Sequence, residues 1–225
     1  LIGDIEGVGT YIDDILCIEN GTFEQHLEQQ REIFQRFKKA GLKVNAPKCS
    51  IGLQEIPYLG YIITKQGIKP DPKKVQGIVD LCKPTTAKEM KSLIGMIQFY
   101  RDIWQRRSHI LSPLIESTAN KKGKTKLTWT TEMDEAFIQL KLMIPEEVFL
   151  TYPDWSKPFD IHTDASDKQL KAVISQDGKP IAFFSRRLSK SQRNYTTTEK
   201  ELLSIVKILK EFRNILFGYE QIIKT

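Results

Sequence analysis

Little in this chain is suited to crosslinking or to crossing a membrane. Only three cysteines, Cys17, Cys49 and Cys82, occur among its 225 residues. Their number is odd and their spacing matches no metal knuckle, which excludes a disulfide framework and a cysteine-held metal. They read as free thiols in a reducing compartment. No apolar run approaches the length needed to span a bilayer, and no basic-then-apolar segment opens the chain, so no membrane partner is expected. Internal repeats and low-complexity tracts are also missing. What remains is 40% hydrophobic and 28% charged, the balance of a globular protein, with enough length for one or two domains with proper cores. The formal charge of +6 and a pI near 9.1 favour a polyanionic partner. Many basic proteins bind no nucleic acid, so charge alone does not decide.

Chemistry first gathers at Gly9-Thr10-Tyr11-Ile12-Asp13-Asp14-Ile15-Leu16. Val8, Tyr11, Ile12, Ile15, Leu16 and Ile18 have the β-branched and aromatic bias of a buried strand pair. Asp-Asp in its middle favours a tight turn, because both side chains can bond nearby backbone. The expected result is a hairpin with two repelling carboxylates at its tip, a repulsion that a cation between them relieves. A divalent metal that takes hard oxygen ligands suits them, and two such metals near a nucleic-acid phosphate can run an in-line displacement. An Asp-Asp pair in a hairpin is more often an ordinary turn, and on the dipeptide alone the turn is favoured.

Downstream, Thr22 and Gln25 predict a capping box for a helix whose apolar stripe is Phe23, Leu27, Ile33, Phe34 and Phe37, stopped at Gly41. Short strands are expected around Leu42–Val44, Cys49–Leu53 and Tyr58–Ile63. From Pro70 the period becomes helical. Val75, Ile78 and Leu81 mark one helix. Thr86 and Glu89 cap a second, carrying Met90, Leu93, Ile94, Ile97 and Tyr100. Ile110, Leu111, Leu114 and Ile115 mark a third. This small bundle is expected to expose Lys73, Lys74, Lys88, Lys91, Arg101, Arg106 and Arg107, as a solvated face or as one that follows a phosphate backbone. The polar, basic run Thr118–Lys126 reads as a linker. Trp129 precedes a helix with Met133, Ala136, Phe137, Leu140 and Ile144, and Pro145, Pro153 and Pro158 lead to a last unit. There the pattern is strand (Phe159–Thr163), strand (Ala172–Ser175), hairpin turn at Asp177-Gly178, strand (Ile181–Ser185), helix (Thr196–Phe212, with Leu202, Ile205, Val206 and Leu209 inward) and a strand from Gln221.

Asp164 lies at the end of the first strand of that unit, and Glu199 and Glu201 lie in the first turns of its helix. The bland readings are that Asp164 caps a turn with Ser166 and that the glutamate only favours the helix dipole. Spacing leaves Glu199 and Glu201 equivalent, since each shares a face with apolar neighbours.

Taken in order, these motifs resemble the pol polyprotein of gypsy-type LTR retrotransposons (Metaviridae-like) over essentially the whole chain. Tyr11-Ile12-Asp13-Asp14 is similar to the reverse transcriptase palm box. Gly41-Leu42-Lys43-Val44-Asn45 and Pro47-Lys48-Cys49 resemble the segment after the palm helix. Tyr58-Leu59-Gly60-Tyr61-Ile62-Ile63 resembles the primer grip, and Gly67 to Val75 the start of the thumb. Leu93-Ile94-Gly95 with Phe99-Tyr100-Arg101 resembles the thumb helix, and Trp129 with the helix to Leu140 resembles the connection. Thr163-Asp164-Ala165-Ser166, Phe184-Ser185-Arg186-Arg187-Leu188 and Thr198-Glu199-Lys200-Glu201-Leu202-Leu203 resemble the ribonuclease H domain.

The resemblance implies an α+β chain: a partial palm of antiparallel hairpin and helix (1–69), a three-helix thumb (70–117), linker and connection (118–157), and a truncated ribonuclease H-like α/β domain with a mixed sheet (158–225). It implies an RNA-directed DNA polymerase and ribonuclease H working by two-metal phosphoryl transfer with Mg2+, or Mn2+ in its place. Asp13 and Asp14 become polymerase metal ligands, and Asp164 and Glu201 ribonuclease H ligands; the resemblance is what favours Glu201 over Glu199. Tyr11 is placed beside the nascent base pair, and Tyr58, Leu59 and Gly60 at the primer. The implied partners are RNA template, DNA primer, RNA–DNA hybrid and, in the full-length enzyme, dNTP. The implied location is the cytoplasm, in a retrotransposon particle.

Three departures accompany the resemblance. The family's first palm aspartate and fingers would precede Leu1, and its third ribonuclease H aspartate, in an Asp-His pair, would follow Thr225. Leu1 is not a methionine, so a piece of a longer polyprotein is expected, inactive by itself. Gln169 and Lys171 stand where the family usually has glycines that permit close backbone approach. These replacements motivate a second expectation, a degenerate or co-opted element that binds nucleic acid without catalysis. A third is a scaffold with no nucleic-acid role.

Overall fold

The computed structural model describes residues 1–18, 21–104, 107–144 and 148–225, arranged as two compact units, Leu1–Tyr58 and Leu59–Thr225. Arg106 and Pro145, named above, lie outside the described residues. The division falls at none of the boundaries 69/70, 117/118 or 157/158 expected from the sequence.

In the first unit β1 (Val8–Tyr11) and β2 (Asp14–Cys17) form an antiparallel hairpin in which Tyr11 faces Asp14. Its two-residue turn is Ile12-Asp13, one position earlier than an Asp-Asp turn. Helix α1 (Phe23–Lys39) begins with the expected capping box of Thr22 and Gln25. Its expected single stripe divides into two faces. Gln29, Ile33 and Phe37 recur every four residues and are buried, with Ile2, Ile5, Val8 and Cys17 against the two apolar ones, whereas Phe23, Leu27 and Phe34 lie roughly a third of a turn away and are exposed. The hairpin is not the buried pair expected either: Tyr11, Ile12, Ile15 and Ile18 are exposed, because one helix face covers only part of two strands. No strand forms at Leu42–Val44 or Cys49–Leu53. The chain there makes a short 3-10 turn at Ala46–Lys48, and β3 is Glu55–Tyr58.

The second unit starts with a turn at Leu59 and Gly60, which have φ of +47° and +83° and interrupt the strand expected over Tyr58–Ile63. Strands β4 (Tyr61–Thr64), β5 (Gly67–Pro70) and β6 (Leu150–Thr151) then pair antiparallel. β5 had no counterpart in the sequence reading. Gly67 is required where β5 meets β6, since a Cβ there would sit 2.0 Å from the Leu150 carbonyl oxygen. Helices α2 (Pro72–Val79), α3 (Ala87–Phe99), α4 (Arg107–Ser117) and α5 (Thr131–Met143) follow. Met90, Leu93, Ile97, Leu111, Leu114, Phe137 and Leu140 share one core, to which Leu150 and Phe183 also belong.

Thr118–Lys126 is a strap rather than a free linker. The Lys88 and Ala87 amides donate to the Gly123 and Thr125 carbonyls (2.8 and 2.9 Å), Leu127 donates to Thr85 (2.9 Å), and Lys91 Nζ donates to the Lys121 carbonyl. The first amides of a helix lack internal acceptors, and the strap supplies them.

The last elements form a mixed sheet of order β10–β7–β8–β9: β7 (Phe159–Ala165), β8 (Gln169–Gln176) and β9 (Lys179–Arg187) antiparallel, β10 (Gln221–Lys224) parallel to β7. The hairpin turn is at Asp177-Gly178 as expected. Helices α6 (Thr197–Glu211) and α7 (Arg213–Leu216) cover it, with Ile208, Phe212 and Leu216 in a core with Phe159, Ile161 and Ile174. The inward face of α6 carries Lys200, Ser204 and Ile208. Leu202 and Val206, expected inward, are 57% and 45% exposed. Among the described residues no helix is long and apolar enough to cross a membrane, and Cys17, Cys49 and Cys82 are free thiols.

Candidate functional site

The tip of the β1–β2 hairpin is built around a strained residue. Ile12 has φ of +53° and is 85% exposed. A β-branched side chain is a genuine outlier in that region, and Ile12 gains nothing by burial there. The turn leaves Asp13 in the loop and Asp14 as the first residue of β2. Both are exposed, and among the described residues no hydrogen bond or ion pair engages either carboxylate. Exposed, unpaired carboxylates fit a hard divalent cation. No group of three His, Cys, Asp or Glu able to hold a metal occurs among the described residues, so the chain's own contribution there is the Asp13–Asp14 pair. Tyr11 is exposed beside Asp14. Tyr58, half-buried, ends β3 in the same unit.

Leu59 and Gly60 belong to the second unit, where their turn rests on the end of α3. The Gly60 carbonyl accepts from the Tyr100 hydroxyl at 2.9 Å and from the Asp71 amide at 3.0 Å. A Cβ on Gly60 would lie 3.1 Å from the Phe99 ring, so the site needs glycine for space as well as for φ. Tyr61 packs tilted against Phe99 and edge-to-face against Tyr100, its hydroxyl donates to the Phe99 carbonyl, and burial pushes its pKa up to about 12. The turn is therefore held rigidly, with Leu59 projecting.

The second acidic site is different. Asp164 lies on β7 directly opposite Lys171 on β8, and Lys171 Nζ is 3.4 Å from Asp164 Oδ2. Gln169 is buried, its amide oxygen accepting from the Ser108 hydroxyl at 3.1 Å. Both replacements of the expected glycines thus have partners. Ser166 bonds the Gln169 backbone and leaves Asp164 free of the turn. Glu199 closes the α6 capping box with Thr196, whose backbone amide and then hydroxyl hold its carboxylate below the ordinary range. Glu201 is exposed one residue beyond Lys200, which reaches Asp167 at 2.8 Å. An ammonium therefore stands against each of Asp164 and Asp167. Sequence reasoning missed the buried Lys200; the signal was the 200, 204, 208, 212 spacing of the inward face.

The basic face is only partly as expected. Lys73, Lys74, Lys88 and Lys91 are exposed, but Arg107 is half-buried and donates through Nη2 to the Ser185 carbonyl at 3.4 Å. Arg101 pairs with Glu211 at 3.0 Å.

The family described as reverse transcriptase (RNA-dependent DNA polymerase) matches residues 5–63, and the family described as an RNase H-like domain found in reverse transcriptase matches residues 129–223. The retrovirus-related Pol polyprotein from transposon 297 of Drosophila melanogaster is 39% identical over 96% of this chain, and that from transposon gypsy 31% over 94%. A Schizosaccharomyces pombe Tf2-3 polyprotein is 30% identical over 92%. The chain spans 20%, 21% and 16% of those relatives, so it corresponds to a small part of each. A foamy viral protease-reverse transcriptase solved in complex with RNA/DNA hybrid superposes with a TM-score of 0.89 at 25% identity, over 99% of this chain and 30% of its own. A second foamy viral structure, in complex with dsDNA, gives 0.87 over 98% and 46%.

Proposed function

Because this chain carries the reverse transcriptase and RNase H-like domains of the retrotransposon Pol polyprotein family, we propose that it forms part of an RNA-directed DNA polymerase and acts on a primer–template duplex through Asp13 and Asp14. The observation that carries this is the pair of exposed carboxylates, free of any cation of the protein, on the strained tip of a hairpin inside the matched reverse transcriptase region. The two side chains would hold Mg2+, or Mn2+ in its place. Bound there, the metal supplies Lewis acidity for the attack of a primer 3′-hydroxyl on the α-phosphate of a dNTP. The protein's share is positional. Tyr11, exposed next to Asp14, offers a flat face to the terminal base pair. The Leu59-Gly60 turn, anchored to Tyr100 and Phe99, offers a fixed ledge to the primer strand.

The partners are RNA template, DNA primer and RNA–DNA hybrid. The foamy viral neighbours' complexes with hybrid and duplex DNA support this, as does the +6 charge. In a Pol polyprotein carrying this segment, Asp13→Asn or Asp14→Asn should lower primer extension by at least ~100-fold, about 2.7 kcal/mol of barrier, with hybrid affinity within about threefold of wild type. Extension left within tenfold would remove the assignment.

A second reading concerns the RNase H-like domain, in which Asp164 and Glu201 are the candidate ligands. The Lys171–Asp164 contact favours a module that holds the hybrid without cutting its RNA, and no cleavage step is derived there.

A further inference from the structure

A cavity of about 400 Å3 lies at the end of α3, lined by Gln98, Arg101 and Arg107. Arg107 opens α4, and its Nε and Nη1 are buried without a hydrogen-bond partner. A guanidinium keeps its proton and offers five N–H donors. Among the described residues only Nη2 has an acceptor, the Ser185 carbonyl at 3.4 Å. Burying such donors unmet is costly, so the position is short of acceptors. The nearby carboxylates do not supply them. Asp102 and Glu211 pair with Arg101 instead, at 3.5 and 3.0 Å, and among the described residues no ion pair reaches Arg107. Burial lowers the Arg107 pKa and raises that of Asp102, as expected where both charges are partly withdrawn from solvent. The four charges sum to zero, so a ligand here is held by directed N–H donors rather than by net field. Forked guanidinium donors with an amide suit a tetrahedral oxyanion.

We propose that this cavity is a phosphate site, and that its occupant is a backbone phosphate of the duplex. The inference rests on the reading under Proposed function and adds a contact to it. The duplex is preferred to free phosphate because Gln98 and Arg101 line the cavity while Phe99 and Tyr100, between them in sequence, meet Gly60 of the Leu59-Gly60 turn.

The test is a salt titration of the 225-residue chain with a fluorescent RNA–DNA hybrid, in wild type, Gln98→Glu and Arg107→Gln. Each phosphate contact contributes about 0.9 to the slope of log K against log salt. Both variants should lose about that much slope and bind several-fold more weakly. The Gln98 side chain is exposed with no hydrogen-bond partner among the described residues, and a glutamate there faces two guanidiniums. Gln98→Glu should therefore keep or raise the melting temperature while weakening binding. An unchanged slope in Gln98→Glu, with a lower melting temperature for Arg107→Gln, would assign the arginines to structure alone and overturn the proposal. Inorganic phosphate that stabilises wild type but not Gln98→Glu, with both slopes intact, would overturn the duplex assignment. A wild-type chain that binds no hybrid would instead defeat the reading of function itself.

Discussion

Ile12 is the residue whose conformation the rest of its hairpin must hold in place. A β-branched residue at φ of +53° stores of order 1–3 kcal/mol, and such strain clusters where a backbone must present a functional group. Its side chain is exposed, so Ile12→Gly should leave unfolding stability within ~1 kcal/mol of wild type or raise it, the relieved strain offsetting the greater freedom of glycine. Urea titration checks this; a loss beyond ~2 kcal/mol would mean that the isoleucine is packed. Lys171 makes the opposite point. Its ion pair with Asp164 is solvent-exposed, and pairs of that kind contribute about 0–1 kcal/mol. Lys171→Gly should barely change stability, yet allow Mn2+ to broaden the amide resonances of residues 163–165, which wild type should not show. The acidic pair was legible because Asp13 and Asp14 are adjacent in sequence. The Asp164–Lys171 contact was not, because it depends on the register of two strands that sequence spacing does not set.

Helix starts were the most legible elements. Thr22, Thr86 and Thr196 each close a capping box with the residue three positions on, since a cap is a local pattern. Thr86→Ala should cost about 1 kcal/mol. Glu89 and Glu199 are held below their ordinary carboxylate range, Glu89 first by the Thr85 amide and then its hydroxyl, Glu199 first by the Thr196 amide and then its hydroxyl. An acid whose folded pKa is depressed stabilises the fold above its unfolded pKa and loses that contribution as pH falls through the folded one. Thermal unfolding from pH 6 down to pH 2 should show this loss beginning near pH 4.5, and Glu89→Gln should reduce its steepness. The strap at 118–126 was not legible. Its composition is that of a solvated linker, but its carbonyls serve α3, and no composition reports which acceptors a distant helix will use. β5 escaped notice because its glycine and proline read as breakers. Gly67→Ala should destabilise by about 3 kcal/mol or more, because the new methyl group meets the Leu150 carbonyl.

At the scale of the molecule, the order of motifs identified the family well before any single motif could. The palm box and the RNase H strands are short, but they fall in order within the matched reverse transcriptase and RNase H-like regions, with the thumb helix between them. Less legible was how the regions join. One core takes in α3, α4, α5 and Phe183 of β9, so the helices named as thumb and connection pack together with the following sheet as one unit. Long-range packing of that kind leaves no periodic trace in the chain. The basic residues divide accordingly. Exposed lysines of α2 and α3 remain available to a polyanion, while Arg101 and Arg107 are drawn into the junction.

The central claim is that Asp13 and Asp14 hold a divalent ion against a primer–template, and Mn2+ titration followed by amide line broadening tests it most directly. With primer–template present, the resonances of residues 11–15 should broaden first, and an Asp13→Asn, Asp14→Asn double variant should lose the effect. Hairpin resonances that stay sharp in wild type, or that broaden equally in the double variant, would contradict the account.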